Sequence, residues 1–146
     1  MGTCMEVVKV KKLDPNAKMP TKATEGSACY DVYCLEETAV VSRGPEKVRT
    51  GLAFEVPKGY FLDIRPRSGM AAKGWTINNA PGTLDSDYRG ELLIILFNQE
   101  DYARWIKPGD RIAQIRLVKN EELEFQEVGE LSSTVRGEGG FGSTGR

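Results

Sequence analysis

A chain of 146 residues that is 40% hydrophobic fits one domain with its own core. Its formal net charge of −1 excludes a broad nucleic-acid surface and leaves room only for a local basic pocket. With no histidine anywhere, Ser-His and Cys-His nucleophiles are excluded; acid–base work falls to Asp, Glu, Lys, Tyr or water, and a metal would be held by oxygen, which points to magnesium.

In chain order, Glu6–Val10 alternates well enough for a first strand, and Gly26–Val32 gathers small residues around one carboxylate, Asp31. Val40-Val41 and Val48–Val56 read as two strands around the Gly44-Pro45 turn, and Tyr60–Arg65 as a fourth. A single short helix is expected over Ser68–Lys73, opened by Pro66 and Ser68 and closed by Gly74. Asn79–Glu91 reads as a β-hairpin with its tight turn near Ser86-Asp87. Leu92–Asn98, Arg111–Val118 and Glu122–Val128 complete the strands, with no internal repeat and no linker before Ser132. Short strands at regular spacing make this an all-β single domain, as a sandwich, jelly roll or closed barrel.

Cys4, Cys29 and Cys34 form an odd set that argues against a disulfide scaffold. Without histidine a zinc site is an improbable alternative, and reduced, partly buried packing is expected. No apolar run is long enough to span a bilayer and no signal-peptide core is present. The opening Met1–Glu6 resembles a myristoylation signal only superficially, since Glu6 stands where Ser or Thr is wanted. The expectation is a soluble, cytoplasmic protein with no membrane or nucleic-acid partner.

Five stretches carry chemistry. In the last ten residues half are glycine, yet Phe141 sits among them beside Ser143 and Thr144. Glycine-rich backbone can form an anion-binding nest, Arg136 adds a bidentate phosphate donor, and the phenyl ring offers a stacking face. A frayed terminus is the alternative. Pro66–Gly69 places Arg67, the Ser68 hydroxyl and free N–H groups at a helix start, as a phosphate cradle or as an ordinary cap. The expected hairpin offers backbone groups to the edge of a pyrimidine ring and holds Asp85 and Tyr88 at its rim. Asp85 is then a carboxylate that can orient and deprotonate a water, unless the aspartates merely serve the turn. Gly109–Gln114 opens a strand in which parity puts Arg111 and Gln114 on opposite faces. Asp31 could hold magnesium through water, or sit in a strand-edge turn.

All five appear in one order, and together they resemble the trimeric deoxyuridine triphosphatases (dUTPases). Ser27–Val32, Pro66–Ala71, Gly82–Glu91, Gly109–Gln114 and Arg136–Gly145 are similar to that family's five motifs. Cys29 stands where the family usually has glycine, and Val32 where it usually has leucine. The resemblance implies a jelly-roll-like β-barrel over residues 1–131 and a flexible C-terminal arm over 132–146, assembled as a homotrimer with shared active sites. It implies magnesium-dependent hydrolysis of dUTP to dUMP and pyrophosphate, which limits uracil incorporation into DNA and supplies dUMP for dTMP synthesis. On matching positions, Asp85 would activate water and contact the deoxyribose, while Tyr88 would pack against the sugar. Asn79, Gly82, Thr83 and Leu84 would read uracil. Arg67, Ser68, Gly69 and Gln114 would hold phosphates, with Asp31 on hydrated magnesium. Arg136, Gly142, Ser143 and Thr144 would close on the triphosphate and Phe141 would cover the base. The alternatives are a dCTP deaminase-type enzyme of the same fold, or a non-catalytic nucleotide-binding regulator. A P-loop is not supported, because no Gly-Lys-Ser/Thr follows a glycine loop.

Overall fold

Alternation of apolar and polar residues organises two facing sheets in the computed structural model, which describes residues 5–142. The strands are β1 (Lys9–Lys12), β2 (Tyr30–Tyr33), β3 (Thr38–Val40), β4 (Pro45–Glu55), β5 (Tyr60–Arg65), β6 (Trp75–Ile77), β7 (Gly82–Leu84), β8 (Glu91–Asn98), β9 (Arg104–Ile106) and β10 (Arg111–Lys119). One helix, α1 (Ser68–Ala72), follows β5. The first sheet runs β1-β4-β8-β6 and the second β2-β10-β5-β7, while β3 and β9 form a small ribbon. All these pairings are antiparallel. No helix among the described residues is long and apolar enough to cross a membrane.

Strand β8 shows how the sequence sets the faces. Leu92, Ile94, Leu96 and Asn98 are buried, and the residues between them are half-buried. With a side-chain period of two, one register alone puts that set inside. Val48, Leu52 and Phe54 of β4 meet it from the same sheet, and Leu62, Ile64, Ile112 and Ile115 face it from the other.

The expected strand Tyr60–Arg65 forms with those bounds, and α1 ends at Ala72, with Gly74 in the left-handed region at φ 81°. The first strand lies three residues later than its pattern suggests, because β1 pairs with the end of β4 in the register Val10↔Phe54. Strands β2, β6 and β9 were not expected; with four, three and three residues they are too short to show a period.

Two expectations are corrected. The stretch Asn79–Glu91 is no β-hairpin: β7 pairs with β5 in the second sheet, while β8 is flanked by β4 and β6 in the first. Both hydrogen-bonding edges of β8 are filled, so the turn at Asp85–Tyr88 becomes an arch between sheets. Nor is Glu122–Val128 a strand. It carries no ladder, and Leu123 and Phe125 are exposed. Residues 120–142 contain no helix or strand.

Candidate active site

Because β7 is an edge strand, one side of Gly82–Leu84 is bonded to β5 and the other keeps its N–H and C=O groups free. That free edge faces a cavity of about 260 Å³, lined by Asn79, Thr83, Leu84, Asp85, Tyr88 and Glu91 among others. A planar ring with donors and acceptors along its edge can complete the missing ladder there. Gly82 is required by space: a Cβ on it would run into the Asn79 carbonyl oxygen.

The side chain of Asn79 is already engaged. Its Nδ2 donates to Leu93 O at 3.0 Å and its Oδ1 accepts from Ile95 N at 3.0 Å, which ties the cavity wall to β8. Tyr88 N donates to Asp85 O at 3.2 Å, closing the turn and leaving the Asp85 side chain exposed on the rim. The Tyr88 hydroxyl donates to Glu91 O at 2.9 Å. The Glu91 carboxylate is committed elsewhere, accepting from Arg49 Nε at 3.1 Å and from Gly51 N at 2.9 Å. That hydrogen bond and charge hold the Arg49 guanidinium pKa above its ordinary value.

The second cavity, about 330 Å³, is lined by Arg65, Pro66, Arg67, Ser68, Ala71 and Gln114. Gly69 follows on α1. The N–H groups at the start of a helix lack intrahelical partners, so Ser68 and Gly69 present donors beside the Arg67 guanidinium. Gln114 Nε2 donates to Pro66 O at 3.1 Å and braces this loop from β10.

Asp31 lies behind the loop, buried on β2 directly opposite Gln114. Its Oδ1 accepts from Arg67 Nε at 3.0 Å, and its Oδ2 is 3.7 Å from Arg111 Nη1. Parity predicts Arg111 and Gln114 on opposite faces, yet both side chains sit on the Asp31 side. A register shift between Arg111 and Ala113 is the reason: the bulge buries Ile112 and Ala113 in succession and resets the alternation. No group of three or more His, Cys, Asp or Glu side chains could hold a metal among the described residues. A magnesium ion would therefore take most of its oxygen ligands from phosphate and water.

Of the tail, Arg136, Phe141 and Gly142 line neither cavity. Arg136 Nε donates to the carbonyl of Gly139 in its own turn, and Phe141, at φ 52°, is wholly exposed. Ser143 and Thr144 lie outside the described residues. The sequence pattern assigned no role to Glu91 or Arg49, whose contact joins positions 42 apart. Cys29 is half-buried and Cys34 buried, both as free thiols. Burial pushes the Cys34 thiol pKa up, and its Sγ donates to Glu36 O at 2.9 Å.

Known proteins resemble this chain over nearly its whole length. A family model described as dUTPase covers residues 15–145. The deoxyuridine 5'-triphosphate nucleotidohydrolase of Hydrogenobaculum sp. is 48% identical over 139 residues, covering 93% of this chain and 96% of its own. That of Nautilia profundicola is 46% identical over 140 residues, covering 95% and 99% respectively. A solved structure of Staphylococcus bacteriophage 80alpha dUTPase with dUPNHPP is similar at a TM-score of 0.88 and 28% identity, across 97% of this chain and 100% of that one.

Proposed function

The chain belongs to the dUTPase family and is a dUTP diphosphatase, and from that premise we propose how its residues divide the work within a homotrimer. Membership decides between the two enzyme readings, for phosphoanhydride hydrolysis and against deamination. The observation that carries the shared-site reading is the separation of the two cavities. They have no lining residue in common, and they open from neighbouring residues of β5, Ile64 and Arg65, whose side chains leave opposite faces of the strand. One small nucleotide reaches both when the cavities come from different subunits.

In this reading uracil lies along the free edge of β7, against the backbone of Gly82, Thr83 and Leu84, with Asn79 holding the wall. Tyr88 packs against the deoxyribose and leaves no room for a 2′-hydroxyl. The triphosphate runs onto a neighbour's Arg67, Ser68, Gly69 and Gln114, whose donors neutralise and orient it. Asp85 takes the proton from the water that attacks the α-phosphorus, and dUMP and pyrophosphate leave. Of the two carboxylates lining the β7 cavity, Glu91 is bonded to Arg49 and Gly51, so Asp85 is the one available as base.

Magnesium, when bound to the triphosphate, supplies further charge neutralisation. Asp31 fits a contact through water, because its carboxylate is already paired with Arg67 and Arg111. Arg136, Phe141, Gly142, Ser143 and Thr144, over the arm 132–146, close on the nucleotide from the third subunit. Hydrolysis of dUTP then keeps uracil out of DNA and provides dUMP for dTMP synthesis.

The test is Asp85→Asn, which keeps size and hydrogen bonding but cannot take a proton. Calorimetry with a non-hydrolysable dUTP analogue should give a Kd within a few-fold of the parent. Pyrophosphate release should fall by about 10²-fold or more. Undiminished turnover removes Asp85 from the base role.

A further inference from the structure

Gly90 lies in the arch between Tyr88 and Glu91, and nothing in the mechanism above uses it. Its φ is not in the left-handed region, so the backbone there is open to any residue. The space is not. A Cβ built on Gly90 would lie against the Tyr88 hydroxyl oxygen, 2.6 Å from Cζ and 3.0 Å from Cε1. Carbon atoms pack at about 3.5–4.0 Å, so a methyl group there and the ring in its present place exclude each other.

Two further contacts show what the arrangement fixes. The Tyr88 hydroxyl is held by the Glu91 carbonyl, and Glu91 is itself anchored through its carboxylate to Arg49 and to the backbone of Gly51. Tyr88 lines the cavity and Gly90 does not. The tip of the ring therefore lies against bare backbone at Gly90 and is pinned by the Glu91 carbonyl, and the same side chain lines the cavity.

We propose that Gly90 is a positioning residue for the sugar pocket: its missing side chain sets the height of the Tyr88 ring above the arch, and with it the depth of the space that receives the deoxyribose. A methyl group at position 90 lifts the ring by about 1 Å to restore carbon–carbon contact, and the lift comes out of the pocket. The inference rests on the reading that Tyr88 packs against the sugar.

The experiment is a cycle of Gly90→Ala, Tyr88→Ala and the double variant, with kcat and KM measured for dUTP and for UTP and thermal unfolding followed for each. Gly90→Ala should raise KM for dUTP by about tenfold or more while kcat changes by no more than a few-fold, as displacement of a ground-state contact predicts. In the Tyr88→Ala background the same substitution should cost nothing further, because the ring it displaces is gone. Equal losses in both backgrounds, or no loss from Gly90→Ala alone, would overturn the proposal. Tyr88→Ala separately tests the reading beneath it: an unchanged preference for dUTP over UTP would mean that the ring does not face the sugar. Should Gly90→Ala fail to fold, recovery of the fold in the double variant supports the same steric link, and failure of both counts against it.

Discussion

Asn98 is a fully buried polar residue, and its amide joins three parts of the fold. Nδ2 donates to the carbonyls of Val40, Val41 and Tyr102, at 3.2, 3.3 and 2.8 Å. Oδ1 accepts from Glu100 N at 3.0 Å and from Arg104 Nε at 2.8 Å. Arg104 then donates to the carbonyls of Lys73 and Gly74 and stacks over the Trp75 ring at 3.9 Å, which fastens β9 to the end of α1. Asn98→Leu fills the volume but takes their partner from Arg104 Nε, the Glu100 N–H and three carbonyls. It should lower stability by about 3 kcal/mol or more in urea unfolding, since each unsatisfied buried group costs ~1–3 kcal/mol. Arg67 and Asp85, which the fold sets on the two cavities, and Phe141, which it leaves exposed, stood out because each sits in a short-range pattern of residue types. Asn98 and Glu91 did not, because Val40 stands 58 positions from Asn98 and Arg49 stands 42 from Glu91, and no local pattern encodes such a meeting.

At the scale of elements, irregularities place the site as much as regular strands do. Strand β4 slips register between Arg49 and Ala53, and Gly51 in that slip has φ 73°. The kink delivers Gly51 N to Glu91, and so supports the arch that carries Asp85 and Tyr88. A Cβ on Gly51 would be 2.9 Å from Ala17 Cβ and 3.1 Å from Leu35 Cδ2. Gly51→Ala therefore meets left-handed strain of about 1–2 kcal/mol together with overpacking of about 1–3 kcal/mol. Gly59, at φ 90° with nothing within 4 Å of an added Cβ, is the control that carries the strain alone. Equilibrium unfolding should show Gly51→Ala losing more than Gly59→Ala, and equal losses would remove the packing contribution. The strands with clean alternation were legible, β5 and β8 above all. The arch, the bulge at Arg111–Ala113 and strands β2, β6 and β9 were not, since which edge a strand joins depends on the edges already filled, and one extra residue reverses every face that follows it.

At the scale of the whole molecule, the last described segment joins neither sheet. Beyond Lys119 the described chain forms no helix or strand, with Leu123 66% exposed, Phe125 92% and Leu131 88%. The alternation that suggested a strand at Glu122–Val128 is present in the sequence, but no strand among the described residues pairs with it. The proposed homotrimer would supply other edges and other cavities, and burying a side chain such as Phe125 or Leu123 contributes roughly 1.5–3 kcal/mol each. The proposed role of the arm beyond it, with Phe141 fully exposed, is to reach a nucleotide held by a neighbour. Mixing two inactive proteins tests this division of labour. Asp85→Asn retains the arm and lacks the base, and a chain truncated after Leu131 retains the base and lacks the arm. If base and arm reach one site from different subunits, random exchange at equal concentrations places an intact Asp85 and an intact arm together in about a quarter of sites, by the closed symmetry of a trimer. Pyrophosphate release from dUTP should rise to about that fraction of the parent rate, with mass spectrometry of differently tagged chains confirming mixed trimers. Mixed trimers without recovered turnover would mean that each chain lays its arm over its own Asp85, and the shared site would have to be abandoned.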